Sequence, residues 1–292
     1  MSQPVVLVTG ANGQVGQELR VLAASYPSFE FIFTSHDTMP VNDEAAVQKM
    51  FAAHRPAYCI NCAAYTAVDK AESEQDIAFQ VNGEGTRILA AACKANNTRF
   101  IHISTDYVFN GQSPVPYTED AATDPVNTYG ASKLKGEQLC QQYDPQAIII
   151  RTAWVYSSFG KNFVKTMMKL MQDRPAINVV SDQVGAPTYA ADLAKCMMHI
   201  VVENEFSSGG SWVPGIYHYS NQGRISWHEF AVGIKELTGS NCTVNPIPTE
   251  QYPTPAKRPS FSLLDTNKIR TTFNCTIPDW KESLQQCIKL LS

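Results

Sequence analysis

The sequence predicts an α/β fold, a doubly wound parallel sheet followed by a smaller mixed C-terminal lobe. Short apolar runs alternate with longer stretches of helical periodicity through the first half of the chain. This alternation is the pattern of a parallel sheet that helices cover on both faces. The chain has 292 residues, of which 44% are hydrophobic, so it can bury a sizeable core. Because the rhythm becomes irregular near residue 155, we expect a first domain over 1–155 and an interleaved lobe over 156–292 that does not fold alone.

The individual elements follow from the spacing of apolar residues. Continuous apolar runs predict strands over 5–9, 29–33, 59–63, 100–104 and 147–150. Apolar residues at helical spacing predict helices over 14–24, 44–54, 78–95 and 129–141, and in the lobe over 163–171, 189–202, 227–238 and 280–291. Segments punctuated by Pro and Gly, such as 207–215 and 245–259, separate the helices of the lobe.

Charge and hydropathy argue against several classes of protein. The net charge is −4 and the sequence pI is about 5.9, so there is no basic footprint for nucleic acid. No apolar run approaches the roughly 20 residues that span a bilayer. The first residues show no signal-peptide pattern, and we therefore expect a cytoplasmic protein without a membrane partner.

The eight cysteines are expected to be reduced thiols that pack in the core. Cys59 and Cys62 have the spacing of a metal motif, but they fall in a predicted strand, where residues three apart face opposite sides. The cysteines at apolar positions of predicted helices act as small hydrophobic side chains. These are Cys93, Cys140, Cys196 and Cys287.

A glycine-rich turn joins the first predicted strand to the first helix, with the sequence Thr9-Gly-Ala-Asn-Gly-Gln-Val-Gly16. Gly10 permits a tight turn, Gly13 lets the backbone approach a pyrophosphate, and Gly16 allows the helix to pack closely on the strand. The free N–H groups and the dipole of the helix N-terminus favour phosphate. The turn therefore predicts a dinucleotide site, the alternative being a tight turn without a ligand.

The end of the second strand bears on which dinucleotide binds. An acidic residue at this place selects NAD by binding the ribose hydroxyls. Here Thr34, Ser35 and His36 are compatible with a 2′-phosphate, whereas the following Asp37 favours NAD. The sequence leaves the choice between NADPH and NADH open, with a lean towards NADPH.

Three side chains are candidates for the catalysis of carbonyl reduction. Tyr129 and Lys133 lie four apart at the start of a predicted helix and share a face. A phenol with a pKa of about 10 is a poor acid–base catalyst at neutral pH, and a nearby ammonium lowers that pKa. Thr105 follows the fourth strand, at the carboxyl edge where open α/β sheets bind ligands, so it can hydrogen-bond the carbonyl oxygen that Tyr129 protonates. The alternative is a surface Tyr–Lys pair.

The glycine spacing, the threonine and the Tyr/Lys pair, in this order, resemble the extended short-chain dehydrogenase/reductase superfamily, which acts largely on nucleotide sugars. Further strings distributed over nearly the whole chain resemble one family within it, the dTDP-4-dehydrorhamnose reductases. These strings occupy residues 61–72, 104–109, 129–137, 151–156, 162–167, 182–188 and 252–259.

The resemblance implies a Rossmann-like fold and NAD(P)H-dependent reduction of the 4-keto group of dTDP-4-dehydro-L-rhamnose to dTDP-L-rhamnose, for cell-wall polysaccharide. Together with the glycine turn, it gives as expected cofactor-binding residues Gly10, Gly13, Gln14, Val15, Gly16, Ser35, Ala64, Tyr65, Thr66, Tyr129 and Lys133. Tyr129, Lys133 and Thr105 would be catalytic. The expected substrate contacts are Thr105, Asp106, Trp154 and Arg258.

Two of these substrate contacts have a second interpretation or a chemical reason of their own. Trp154 would press its indole against the deoxysugar, although a tryptophan after a strand equally suggests core packing. Arg258 carries a guanidinium fork that suits a diphosphate. The expected partner is therefore a dTDP-sugar.

The chain departs from the family pattern in the adenosine half, where Pro40 replaces an aspartate of the usual string. Some relatives dimerise through carboxylate-bound magnesium. Glu18 is available for this, but the segment from Tyr189 to Asp192 places its acid differently, so we expect no metal and leave a homodimer open.

A nucleotide-sugar epimerase or another reductase of the same fold remains an alternative. A dehydratase is disfavoured, because dehydratases carry Asp-Glu after the catalytic threonine, whereas this chain has Asp106 and Tyr107. A non-catalytic dinucleotide-binding regulatory subunit, like that of methionine adenosyltransferase, also resembles the family, and the intact Thr105, Tyr129 and Lys133 weigh against it.

Overall fold

The computed structural model describes residues 3–207 and 211–291. The strands are β1 (Val5–Thr9), β2 (Glu30–Phe33), β3 (Tyr58–Asn61), β4 (Arg99–Thr105), β5 (Ile148–Thr152), β6 (Val155–Tyr156), β7 (Ala176–Val180), β8 (Val184–Gly185), β9 (Thr188–Tyr189), β10 (Gly215–Tyr219), β11 (Ile225–Ser226) and β12 (Thr243–Ile247). The helices are α1 (Gln14–Ala23), α2 (Glu44–His54), α3 (Val68–Ala71), α4 (Gln75–Phe79), α5 (Gly85–Ala95), α6 (Thr128–Tyr143), α7 (Phe163–Asp173), α8 (Ala190–Phe206), α9 (Trp227–Thr238), α10 (Asn267–Phe273) and α11 (Trp280–Lys289).

Six strands form one parallel sheet in the order β10-β5-β4-β3-β1-β2. The strand order reverses at β1, which lies between β3 and β2, so the chain winds outward from this point in both directions. In such sheets a crevice opens at the carboxyl ends of the strands on either side of the reversal. The predicted doubly wound parallel sheet is therefore confirmed, and its topology places the ligand crevice beyond β1 and β3.

Both faces of the sheet are buried, which explains the continuous apolar runs in the sequence. Val6 and Val8 point into one hydrophobic cluster, whereas Leu7 between them points into another. Because successive strand side chains alternate between faces, a strand that is covered on both sides has no polar face to show in its sequence.

The C-terminal half contributes both a core of its own and parts of the main sheet. Helices α7, α9 and α11 pack around a separate hydrophobic cluster. Strand β10 extends the main sheet beside β5, and α8 packs against α1. The chain is thus interleaved across residue 155, and the division into 1–155 and 156–292 stays a prediction. Within the predicted irregular segment 207–215, residues 208–210 lie outside the described part of the chain.

Two element boundaries differ from the sequence prediction. Strand β3 ends at Asn61, so Cys62 lies beyond the strand in which the sequence placed it. The helix expected over 78–95 begins at Gln75 and is interrupted by a π-helical turn, Gln80–Glu84, before α5. The side chain of Asn82 in this turn bonds the backbone N–H and carbonyl of Tyr65 and the Ser132 hydroxyl. These tertiary hydrogen bonds accompany a local change of helical period, which apolar spacing does not reveal.

The cysteines are free, and seven of the eight are buried. Their expected role in core packing is therefore confirmed for all but the half-buried Cys62. No helix within residues 3–207 and 211–291 is long and apolar enough to cross a membrane.

Candidate active site

The glycine-rich turn lies against the end of β3, at the point where the strand order reverses. Gly10 has a positive φ of 63°, and a Cβ there would lie 2.5 Å from the backbone nitrogen of Ala63. A Cβ on Gly16 would collide with the Gly10 carbonyl and with Ala11. Only glycine fits these two positions, and the result is an α1 N-terminus held close to the strand ends, where its free N–H groups can receive phosphate.

A cleft of about 420 Å³ opens at this place and contains much of the predicted cofactor site. It is lined by Gly10, Asn12, Gly13, Ser35, His36, Asp37, Met39, Val41, Asn42, Cys62, Ala63, Ala64, Tyr65, Ile77 and Val81. Five predicted cofactor residues are in this set. The buried Met39 and Val41 give the cleft an apolar wall that the sequence analysis did not identify.

Other predicted cofactor residues lie outside the lining of this cleft. The Gln14 side chain donates to the Val155 carbonyl and accepts from Asn162, so it joins α1 to the start of α7. Thr34 is buried, and its hydroxyl donates to the Val8 carbonyl at 3.3 Å. Thr34 is therefore not available to a 2′-phosphate, which corrects one of the three positions considered for it. Thr66 is exposed.

Tyr129 and Thr105 converge at the carboxyl end of β4. The Thr105 hydroxyl faces the Tyr129 phenol, and this contact lowers the pKa of Tyr129. Burial has the larger effect and raises that pKa to about 12. The Tyr107 ring packs edge-on against the Tyr129 ring, with 5.5 Å between the centroids. A substrate carbonyl oxygen between the two hydroxyls would accept from Tyr129, and from Thr105 once the Thr105 hydroxyl turns away from Asp106.

The start of α6 is fixed by local hydrogen bonds and by one close backbone approach. The Asn127 side chain caps the helix by accepting from the Gly130 N–H at 2.8 Å. Thr128 N–H donates to the Glu72 carboxylate at 2.8 Å. A Cβ on Gly130 would collide with the Tyr107 carbonyl. Glycine at this position therefore lets α6 begin against the turn that follows β4, which places Tyr129 beside Thr105.

Lys133 lies one helical turn further on, and its side chain is buried, with 2% exposed. Its Nζ donates to the Ile103 carbonyl at 2.7 Å. Burial lowers the pKa of Lys133 to about 8, and the Glu137 carboxylate opposes this shift. The Tyr–Lys spacing predicts that the ammonium lowers the pKa of Tyr129. The structure differs, because the group that lowers this pKa is the Thr105 hydroxyl, and burial outweighs it.

Asp106 is buried directly behind Thr105, whose hydroxyl donates to the Asp106 carboxylate at 2.9 Å. Burial raises the pKa of Asp106 to about 6, and the bond from Thr105 works in the opposite direction. The predicted substrate contact is thus a carboxyl group that fixes the Thr105 hydroxyl.

Trp154 follows β5 in a left-handed conformation with φ of 49°, which is unusual for a bulky residue. Its ring stacks on Trp227, with centroids 3.7 Å apart and an angle of 14° between the planes. A Cβ on Gly185 would lie 2.9 Å from the Trp154 ring. Trp154 is half-buried, so it packs in the core and keeps part of its surface accessible.

Arg258 lines a second cavity of about 500 Å³ together with Asp182, Tyr252 and Lys257. Its guanidinium is already paired, because Nη1 and Nη2 bond the two oxygens of Asp69 at 2.5 and 2.8 Å. A diphosphate contact by Arg258 therefore has to share or displace Asp69, a partner that sequence reasoning missed.

Glu18 is not available to an interface metal, contrary to the sequence analysis. It is buried and accepts from the Ser157 hydroxyl at 2.6 Å. Among the residues that the structure describes, no three His, Cys, Asp or Glu side chains form a group that holds a metal ion.

The fold and these side chains together define an oxidoreductase of the short-chain dehydrogenase/reductase class. A family model described as the RmlD substrate binding domain matches residues 4–292. The chain belongs to this family of dTDP-4-dehydrorhamnose reductases.

Individual members of the family are similar to this chain over nearly their whole length. The chain is 40% identical to dTDP-4-dehydrorhamnose reductase of Sinorhizobium fredii over 285 residues, which cover 96% of this chain and 95% of that protein. A dTDP-4-dehydrorhamnose reductase structure from Clostridium acetobutylicum superposes with a TM-score of 0.92 and 40% identity, covering 98% of this chain and 99% of the other. The same enzyme from Bacillus anthracis, solved in complex with NADP, has a TM-score of 0.92 and 36% identity, covering 98% and 99%.

Proposed function

We propose that this chain reduces the 4-keto group of dTDP-4-dehydro-L-rhamnose to give dTDP-L-rhamnose, with NADPH or NADH as reductant. The observation that carries the proposal is the convergence of the Tyr129 phenol and the Thr105 hydroxyl beside a glycine turn. The family relatives support the reductase over the epimerase, dehydratase and regulatory-subunit alternatives.

The cleft at the glycine turn fits a nicotinamide dinucleotide. Gly10 and Gly13 leave backbone without side chains at the α1 N-terminus, where phosphates are favoured. Met39 and Val41 provide an apolar wall for an adenine ring, on either side of the position where Pro40 replaces an aspartate of the usual family string. Ser35 and His36 are placed for a 2′-phosphate, while Asp37 favours a free ribose hydroxyl. When bound, the cofactor supplies the hydride that reduces the sugar carbonyl.

Tyr129 gives the proton that this reduction requires. The Thr105 hydroxyl lies beside the Tyr129 phenol and donates its single proton to Asp106. When this hydroxyl turns from Asp106 to the substrate, Thr105 and Tyr129 present two hydrogen-bond donors to one carbonyl oxygen, so they stabilise the alkoxide as negative charge develops on it. Lys133 lies one helical turn further along α6, where its ammonium would bind the cofactor ribose.

Residues on both sides of the boundary at 155 hold the sugar nucleotide. Trp154 offers a half-open indole for the deoxysugar, supported by its stack on Trp227. Arg258 lies in the second cavity and serves the diphosphate after it exchanges contacts with Asp69. In these assignments the deoxysugar lies on the indole of Trp154 and the diphosphate binds the guanidinium of Arg258.

The test is the loss of absorbance of NADPH, and separately of NADH, when the 4-keto sugar nucleotide is added to the purified chain. Replacing Tyr129 by Phe removes a general acid, so we expect the rate to fall by roughly 10²–10⁴. Tyr143→Phe, at the other end of α6, is the matched control and should keep the parent rate. A Tyr129→Phe variant that turns over at the parent rate would contradict the proposal.

A further inference from the structure

His102 lies in the middle of β4, buried between the proposed catalytic lysine and the adjacent strand. Its side chain is fully buried. Nδ1 is 2.9 Å from Asn61 Nδ2, and Nε2 is 3.5 Å from Lys133 Nζ. The ring therefore connects β3 to α6, and the position of its single proton decides what it presents to Lys133.

The orientation of the Asn61 amide follows from its other contacts. The backbone N–H of Ala63 can only donate, and the Asn61 atom that faces it at 3.1 Å must therefore be the oxygen. The Thr9 hydroxyl donates to the same oxygen at 2.6 Å. The NH₂ group of Asn61 consequently points at His102 and donates to its Nδ1.

The tautomer of His102 follows from this amide. A ring nitrogen that accepts a hydrogen bond carries no proton, so the proton of the neutral ring resides on Nε2. A charged ring is disfavoured, because burial lowers the pKa of His102 well below its usual range and Lys133 adds to this effect. Nε2–H is thus a donor directed at Lys133 Nζ.

An ammonium has three donors and no acceptor, whereas a neutral amine has a lone pair. When Lys133 is charged, an N–H of its ammonium faces the Nε2–H of His102, and the two donors repel each other. When Lys133 is neutral, its lone pair accepts a hydrogen bond from His102. We propose that His102 is a positioning residue that favours the uncharged amine of Lys133, so that the charge at the active site responds to pH near neutrality. This inference rests on the proposed function only where it predicts activity.

The other groups around Lys133 do not replace this effect. The Ile103 carbonyl accepts from Nζ in either charge state. Glu137 on the same helix favours the charged form, as do the weaker contributions of Cys140 and Cys62. The pKa of Lys133 is nevertheless lowered, to about 8. His102 is the polar side chain that faces Nζ from β4, and it acts in the same direction as burial.

The tautomer can be measured on the unaltered chain without substrate. Nitrogen-15 NMR distinguishes the two neutral tautomers, and the His102 signal is assigned by its loss in His102→Gln. We expect the proton on Nε2 at pH 7. A proton on Nδ1 would overturn the proposal, because Nε2 would then accept from the ammonium and raise its pKa.

The consequence for activity is measured by the pH dependence of kcat/KM. If the ammonium is the active form, kcat/KM of the parent chain falls as the pH rises through about 8. His102→Asn can accept from Asn61 through its amide oxygen, and its shorter side chain withdraws the N–H donor from Lys133, while His102→Gln can turn an oxygen towards Lys133. Because the variants change one hydrogen bond, both should raise the pH at which kcat/KM falls by about one unit.

His218→Asn is the matched control. His218 is equally buried in β10, but its ring contacts the Tyr117 carbonyl and Arg151 instead of Lys133. The His218→Asn variant should lose comparable stability without changing the pH at which kcat/KM falls. If that pH is unchanged or lower in both His102 variants, the inference is overturned. If the chain does not turn over the substrate at all, the proposed function fails, and the tautomer measurement still decides the role of His102.

Discussion

Arg151 on β5 and Lys133 on α6 are both buried cations, yet their surroundings differ. Arg151 Nε and Nη2 bond the two oxygens of Glu137 at 2.9 and 2.7 Å, and the Ser104 hydroxyl also donates to this carboxylate at 2.5 Å. Lys133, one helical turn before Glu137, has a carbonyl and an imidazole and no carboxylate of its own. The Glu137 carboxylate therefore bonds Arg151 through both of its oxygens and acts on Lys133 only through its charge.

The difference separates a structural cation from a reactive one. A buried ion pair with complete hydrogen bonding keeps its charge and joins α6 to β5. A buried cation without a counter-ion is destabilising while charged, and its pKa falls. A shifted pKa of this kind is frequent at functional sites, and here it belongs to Lys133, four residues after the proposed proton donor Tyr129.

The largest expected effect comes from breaking the complete pair. Arg151→Met leaves the Glu137 carboxylate buried without its partner, so we expect a loss of about 3–5 kcal/mol in the free energy of unfolding. Urea denaturation at pH 7 measures this loss. Adding Glu137→Gln removes the orphaned charge and should restore more than half of it. A single variant within 1 kcal/mol of the parent, on the order of a surface pair, would mean that the pair is not structural.

Replacing Lys133 should have the opposite effect and increase the free energy of unfolding. The lowering of the Lys133 pKa from 10.5 to about 8 corresponds to about 3 kcal/mol of destabilisation while the lysine is charged in both the folded and the unfolded state. Lys133→Met also loses the bond to Ile103, so we expect a net gain of about 2 kcal/mol at pH 7.

This gain has a defined pH window. Because the folded-state pKa of Lys133 is depressed, the penalty is complete below pH 8 and disappears as the pH rises to the unfolded value of 10.5. Urea denaturation at pH 7 and pH 10 tests this window, with kcat as a separate readout that should fall sharply. A variant that is less stable than the parent at pH 7 would contradict the comparison.

Asp106 provides the smallest effect, with the opposite pH dependence. Its pKa is raised from 3.8 to about 6, so the buried charge destabilises the chain above pH 6, and the penalty fades as the pH falls towards 3.8. Asp106→Asn also buries an amide NH₂, and we expect a net gain of about 1 kcal/mol at pH 8 that shrinks at pH 5. Melting temperatures at the two pH values measure it, and a gain that grows at pH 5 would refute the assignment.

The sequence predicts those parts of the site that depend on local pattern. The glycine turn, the threonine after β4 and the Tyr129–Lys133 spacing are each contained in a few residues next to one strand end or on one helix face. The parallel sheet then brings these segments to a common edge. For this reason the fold class, the cleft and the contact between Tyr129 and Thr105 follow from apolar periodicity and motif order.

The parts that depend on which elements touch could not be predicted. His102 stands in an apolar strand and gives no sign that its neighbour across the helix interface is Lys133. The Arg258–Asp69 pair joins residues that are far apart in the chain. The left-handed backbone of Trp154 is equally invisible, since nothing in its neighbours requires a positive φ.

The most direct test of the account follows the hydride itself. The chain is incubated with NADPH that carries deuterium at the transferable C4 position and with dTDP-4-dehydro-L-rhamnose, and the sugar product is examined by NMR. We expect dTDP-L-rhamnose with deuterium on C4 and one NADP⁺ formed per sugar. A sugar without deuterium, or an epimerised ketone with the reduced cofactor left intact, would contradict it.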